Sequence, residues 1–442
     1  MNKIAMFGCG YVGLVTGVCL AHLGHEITCI DIDDEKVENL KRGISPIFEQ
    51  DLPEMLAAVL ANGNIDFTAD AKTAVTRSEI VFIAVGTPTG TGGEADLGAV
   101  MEVAATIGRY LNSHKIIVTK STVPPGTGDM IAETISANCA GHETFDVLSN
   151  PEFLREGVAV KDFLYPDRVV IGGESQAALE KIKHLYEQLN VPIHCTDRRS
   201  SELIKYASNC FLAIKISFIN ELSRVAECLN ADIEEVAAGM GLDNRIGPHF
   251  LKAGAGYGGS CFPKDTRALA VQARELGRPF TLVETAIAAN EAQHLFIVEK
   301  IRRALGVEED GNLQGVTIGL LGLAFKPGTD DIREAPALFI ARKLVDLGAA
   351  VSAYDPQAMP NTQPLLPRVA MADSAMSAIR DIDLLVILTE WPEFTKLSPT
   401  ELLQTMRGRV IVDSRNCLPA DTFRNHGFTV IGVGKGKAGN CS

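Results

Sequence analysis

Short apolar runs alternate with helical stretches along the first two hundred residues. Residues 3–7, 26–30, 80–85, 116–119 and 146–148 read as buried strands, each closed by a turn. Near Ser200 this rhythm stops. Residues 201–230 read as one long helix with apolar positions at 203, 204, 207, 211, 214, 218 and 222. Helices over 232–240, 263–276 and 281–305 follow, and the polar, glycine-bearing stretch 308–315 marks a boundary. A strand (316–321), loop, helix (335–347) and strand (350–354) then repeat the opening of the chain in weakened form. Strands over 384–388 and 410–412 come later, and a Gly/Lys-rich tail from Gly434 is expected to be mobile. The pattern predicts an α/β protein with two Rossmann-like, doubly wound parallel-sheet domains, 1–199 and 308–442. A long central helix and a helical dimerisation segment, 200–307, would join them.

The first strand runs into Gly8-Cys9-Gly10-Tyr11-Val12-Gly13, a G-x-G-x-x-G that opens a helix, and the second strand ends in Asp31. In that context Gly8 makes the turn and Gly10 lets the backbone reach a pyrophosphate. Gly13 lets helix and strand pack closely, and Asp31 accepts from ribose hydroxyls, which favours NAD over NADP. The later repeat keeps an aspartate, Asp355, but its glycine fingerprint is degraded, so no second NAD is expected there. Lys326 in its loop points to a different phosphate-bearing ligand, with Asp330, Asp331 and Arg333 lining the same cleft and Arg415 at another strand end. Thr87, Ser121 and Thr122 follow strands, where ligands bind in open α/β sheets; the competing reading is that they cap the next helices. Glu152 and Glu156, four apart after a strand, are either a surface helix face or an active-site rim.

The formal charge of −14 argues against a nucleic-acid partner. Ten cysteines without a C-x-x-C pair exclude a zinc ribbon or thioredoxin motif, no metal is expected, and a reducing, cytoplasmic setting is the natural reading. The uncharged run 4–21 superficially resembles a signal peptide, but glycines at 8, 10, 13 and 17 interrupt it, and no stretch approaches a membrane span.

Four glycines precede Cys261 in Gly254-Ala255-Gly256-Tyr257-Gly258-Gly259-Ser260-Cys261-Phe262-Pro263-Lys264-Asp265. This reads as a tight loop feeding a helix that Pro263 can open. A thiol there is biased towards thiolate, and Asp265 stands one turn on; the alternative is a packed cysteine in an ordinary turn. Lys205 and Asn209 share a face of the long helix, placed either to donate to an oxyanion or simply to meet solvent. An alcohol dehydrogenase does not need a cysteine. A cysteine helps when an aldehyde must go on to an acid through a thioester, a four-electron oxidation using two NAD.

Over essentially its whole length the chain resembles the UDP-glucose/GDP-mannose dehydrogenase family. The resemblance rests on GCGYVG (8–13), VGTPTG (85–90), KSTVPPGT (120–127), NPEFLREG (150–157), GYGGSCFPKD (256–265) and GLAFKPGTDDIREAP (322–336). It implies Cys261 as nucleophile, Lys205 and Asn209 as oxyanion donors, and Asp265 as a carboxylate working with Lys205 and a water. Thr122 and Glu152 would position water and base. It implies NAD contacts at Val12, Asp31, Lys36, Thr87, Thr122, Glu156, Lys264 and Arg333, beside the fingerprint residues Gly8, Gly10, Tyr11 and Gly13. It implies a nucleotide-sugar site of Glu152, Phe153, Leu154, Arg155, Lys205, Asn209, Phe250, Leu251, Lys252, Ala253, Gly254, Gly258, Phe325 and Lys326, with Arg245 given across a dimer interface. Ser260 and the run Tyr165-Pro166-Asp167-Arg168 resemble the members that oxidise UDP-glucose to UDP-glucuronate. GDP-mannose oxidation, a two-electron hydroxy-acid dehydrogenase, and a non-catalytic binding protein are the rival readings.

Overall fold

In a computed structural model, which describes residues 1–308 and 311–436, the strand-forming runs assemble into two sheets. The strands are β1 (Lys3–Phe7), β2 (Glu26–Ile30), β3 (Ile65–Thr68), β4 (Ile80–Ile83), β5 (Lys115–Thr119), β6 (Phe145–Ser149), β7 (Val169–Gly172) and β8 (Ile193–Thr196). They lie in the order β3-β2-β1-β4-β5-β6-β7-β8, parallel except where β6 meets β7 at Ser149 and Gly172. Wholly buried strands such as β4 and β5 show no polar alternation because helices cover both faces of a parallel sheet. The second sheet comprises β9 (Thr317–Leu321), β10 (Ala350–Tyr354), β11 (Ala370–Met371), β12 (Leu384–Ile387), β13 (Val410–Asp413) and β14 (Thr429–Gly432). Its order, β11-β10-β9-β12-β13-β14, repeats that of the first six strands and is parallel throughout. The weak internal repeat of the sequence is therefore a repeat of topology.

Packing divides the chain into two compact units, residues 1–208 with 271–276, and residues 209–270 with 277–436. The division falls inside the long helix Arg198–Cys228, and the helices of 209–270 and 277–307 pack into the second unit. The sequence suggests three segments where the packing makes two. Ile219, Ala226, Ile297 and Ile301 join the hydrophobic core built on β9 and β12. The first unit has a separate core on each face of its sheet.

The apolar positions of the long helix divide: Phe211 and Phe218 are exposed, while Ala213 and Ile219 are buried. One expectation needs correction, since the tail from Gly434 is anchored at its start. Gly434 N–H donates to Glu227 at 2.7 Å, and Lys435 Nζ donates to Asp232 at 2.8 Å. The remainder of that tail, from 437, lies outside the described residues, as do 309 and 310 of the 308–315 boundary.

Candidate active site

In the first unit, β1 delivers the glycine fingerprint to the helix Tyr11–His22. Gly8 has φ +96°, and a Cβ on it would stand 2.7 Å from the carbonyl oxygen of Ala84. A Cβ on Gly13 would fall 1.9 Å from the oxygen of Gly8, so no other residue lets helix and turn close this way. Gly10 faces open space, and no side chain caps the helix behind it. Free N–H groups at a helix N-terminus beside an unobstructed backbone fit a pyrophosphate. Asp31 accepts from the N–H of Cys9 at 2.9 Å and pairs with Lys36 at 3.2 Å. Tyr11 and Val12 are half-buried, and the Tyr11 hydroxyl accepts from Gly157 N–H at 2.7 Å.

Beyond β4 and β5 the hydroxyls of Thr87 and Ser121 bond main-chain carbonyls instead of capping helices. Ser121 donates to the carbonyls of Ile83 and Val85, and Thr87 donates to the carbonyl of Thr122 at 2.9 Å. The helix Thr127–Asn138 is capped instead by Glu202, which accepts from Gly126 and Gly128 at 2.6 and 2.8 Å. Burial pushes Glu202 up to about 7 against the pull of those two N–H groups.

Residues 151–157 form no helix, so the surface-face reading of Glu152 and Glu156 fails. Glu152 is buried and pairs with Lys205 at 2.9 Å, each side chain only 5 % exposed, and it also accepts from Leu154 N–H at 2.6 Å. Glu156 is half-buried. Lys205 is thus not on a solvated face. Its ammonium lies 5.3 Å from the centre of the Phe153 ring, and the Arg168 guanidinium stacks on that ring at 3.6 Å. Arg155 turns outward to Asp162 at 2.6 Å. Lys120, which the sequence left without a role, is buried and donates to the side-chain oxygen of Asn150 at 3.0 Å.

In the second unit, Cys261 immediately precedes the helix Phe262–Glu275, partly exposed, with Sγ 3.5 Å from the Ser260 hydroxyl. Asp265 N–H donates to the carbonyl of Cys261 at 2.9 Å, which sets the two residues one turn apart. Asp265 is buried. Asn209 donates to one of its oxygens at 2.6 Å and Lys264 to the other at 2.7 Å. A carboxylate held from both sides is a fixed point of the site.

The glycine-rich loop is pinned by carboxamides. Asn220 accepts from Gly254 N–H, Gln293 donates to Gly254 C=O, and Asn290 bonds both the N–H and the C=O of Tyr257. A Cβ on Gly258 would come 2.3 Å from the carbonyl oxygen of Glu334, so this glycine admits a neighbouring turn of the chain itself. Phe250 and Glu334 hold φ of 65° and 52°, strained values for side-chain-bearing residues. Leu251 and Ala253 are buried, and Lys252 reaches towards Glu390 at 3.8 Å. Arg415 pairs with Glu390 at 2.5 Å and lies 3.1 Å from where a Cβ of Gly254 would stand. Burial opposes the charge of Glu390, but Arg415 prevails and holds it at about 2. Lys326 stands over the Phe325 ring at 5.5 Å, Arg333 pairs with Asp331 at 2.7 Å, and Asp330 takes Asn361 instead. Arg245 is exposed and pairs with Asp243 of its own chain.

Asp355 follows β10 as Asp31 follows β2 in the first sheet. It is fully buried and accepts from the N–H groups of Leu323, Ala324, Gln357 and Ala358 and from the Trp391 indole. No lone pair of this aspartate is left for a ribose.

Comparison with known proteins agrees with this division of labour. The NAD binding domain of the UDP-glucose/GDP-mannose dehydrogenase family matches residues 2–190, its central domain 199–292 and its UDP binding domain 319–420. The chain belongs to this family. Its cofactor is NAD. The UDP-glucose 6-dehydrogenase of Rhizobium meliloti is 47% identical over 440 residues, covering 98% of this chain and 99% of the relative. The UDP-glucose 6-dehydrogenase TuaD of Bacillus subtilis is 44% identical over 436 residues, covering 98% and 94%. The solved structure of a UDP-glucose dehydrogenase from Pyrobaculum islandicum superposes with a TM-score of 0.91 at 38% identity, covering 98% of each chain. No helix among the described residues is long and apolar enough to cross a membrane.

Proposed function

We propose that the chain oxidises the C6 alcohol of UDP-glucose to the carboxylate of UDP-glucuronate, one water consumed and two NAD reduced per sugar. The observation that carries this reading is the buried Asn209–Asp265–Lys264 cluster at the start of the helix that Cys261 introduces. The near full-length likeness to UDP-glucose 6-dehydrogenases supplies the substrate. NAD, when bound, accepts hydride in each of the two oxidations.

The chain's own residues do the rest. Glu152, with Thr122, takes the alcohol proton through an ordered water. Cys261 Sγ adds to the aldehyde carbon, and the oxygen becomes an oxyanion to which Lys205 and Asn209 donate. Oxidation of that adduct leaves a thioester on Cys261. Water activated by Glu152 then breaks the C–S bond, releasing carboxylate and thiol. Each substrate therefore yields two NADH and three protons. Asp265 holds Asn209 and Lys264 at fixed distances and works with Lys205 on the same water. Phe250–Gly254, Gly258, Phe325 and Lys326 take the nucleotide sugar with Glu152–Arg155, and Lys36, Thr87, Glu156, Lys264 and Arg333 complete the NAD contacts.

The active species is a homodimer in which Arg245 serves the partner's substrate. Phe211, Phe218 and Val225, exposed at seven-residue intervals on the long helix, support a helix–helix interface, and Arg245 is exposed. The enzyme works in the cytoplasm, in keeping with nine free cysteines among the described residues. Initial rates with UDP-glucose and GDP-mannose test the substrate: preference for GDP-mannose would overturn the assignment.

A further inference from the structure

Lys120 directly follows β5, and its ammonium is buried in the first unit. Among the described residues its hydrogen-bond acceptor is the neutral side-chain oxygen of Asn150, at 3.0 Å. That oxygen also accepts from the Tyr186 hydroxyl at 2.6 Å, while the Asn150 amide donates to Val170 C=O at 2.7 Å. The same ammonium lies 5.6 Å from the centre of the Tyr186 ring. Two residues beyond Asn150, Glu152 meets Lys205. The titratable groups that face Lys120 are Glu152 from the loop after β6, Lys205 from the long helix and the Tyr186 phenol. Burial pushes that phenol well up, out of the working range.

A buried cation without a carboxylate of its own is costly, and an apolar side chain would fill the space more cheaply. Here the Lys120 ammonium adds a second positive charge beside the Glu152–Lys205 pair. A site preorganised in this way favours a negative charge that appears only during reaction.

We propose that Lys120 is a positioning residue of the Glu152–Lys205 pair: it fixes, through Asn150, the loop that presents Glu152, and its charge favours the anionic oxygen formed during oxidation. The proposal rests on the roles given above to Glu152 and Lys205. Burial lowers Lys120 to about 8, with Lys205 adding to the effect and Glu152 opposing it. The Lys120 charge is therefore present at neutral pH and is lost as pH rises through that value. The same sign applies to stability. Below the ordinary lysine range the unfolded chain binds a proton that the folded chain resists, so Lys120 weakens the fold at neutral pH.

The test uses the full-length enzyme with Lys120→Met, Lys120→Gln, Tyr186→Phe and Glu152→Gln. kcat/KM is followed from pH 6.5 to 9.5, with thermal unfolding alongside. Wild type should lose kcat/KM with a midpoint near pH 8. Lys120→Met should lower kcat at pH 7.5 by about 10- to 100-fold, leave both KM values within about threefold, abolish the alkaline loss, and leave Tm equal or higher. Lys120→Gln, which can still donate to Asn150, should likewise lose the alkaline limb, and Tyr186→Phe should keep it. A wild-type profile in both Lys120 variants, or a lowered Tm with the alkaline limb intact, would overturn the proposal. Wild-type turnover in Glu152→Gln would instead overturn the role of Glu152. An alkaline limb that still vanished with Lys120 would then leave only the charge effect standing.

Discussion

At the scale of single residues, the site depends on a few buried polar contacts whose loss has distinct signatures. Lys205 is held by Glu152 and sits far from the dinucleotide fingerprint in role, so Lys205→Ala should reduce kcat by about 100- to 1,000-fold. NAD affinity should change little; a titration showing that it collapses would reassign the residue. Cys261→Ala should form no UDP-glucuronate, because the second oxidation has no thiol to carry the acyl group; product analysis after long incubation checks this. That Lys205 and Asn209 share a helix face was legible from their spacing, but whether that face meets solvent was not. Burial excludes solvent, and it is set by residues such as Phe153 and Asp265, distant in sequence. Lys120, Arg168 and Arg415 went without a catalytic reading because their partners, Asn150, Phe153 and Glu390, come from other loops.

At the scale of elements, the helix Thr281–Ala304 acts as the frame of the loop that leads to Cys261. Asn290 alone satisfies two buried main-chain groups of Tyr257. Asn290→Ala should cost about 2 to 4 kcal/mol in chemical denaturation, with turnover falling as the loop loosens. His294, one turn further on, is pushed down to about 4 by burial. Its folded state resists protonation that the unfolded chain accepts, so stability should fall as pH drops from about 6.5 to 4. His294→Gln should flatten that slope in a pH series of melting curves. The helix itself was plain in the apolar periodicity. Its grip on the loop was not, because Asn and Gln on a helix face read as ordinary surface residues until a loop packs over them.

At the scale of the whole molecule, one topology serves two ends. The first sheet keeps an open fingerprint turn; in the second, Asp355 and Trp391 close the equivalent turn from within. Alternation of strands and helices made the inner strands of both sheets legible but not β3, β7, β8, β11 and β14 towards their edges, and the missing glycines of the second half pointed to a different ligand. The exposed stripe of Phe211, Phe218 and Val225 belongs to the same scale. Phe218→Glu should shift the protein towards monomer in analytical ultracentrifugation, and Arg245→Ala should raise KM for UDP-glucose while leaving the dimer intact. Cys261 ties these levels together, since a thioester is needed only if one active site performs both oxidations. The most direct test is the amount of NADH formed per UDP-glucose consumed to completion. Two NADH, with UDP-glucuronate as the product, is the expected result; one NADH and an aldehyde would contradict the thioester route.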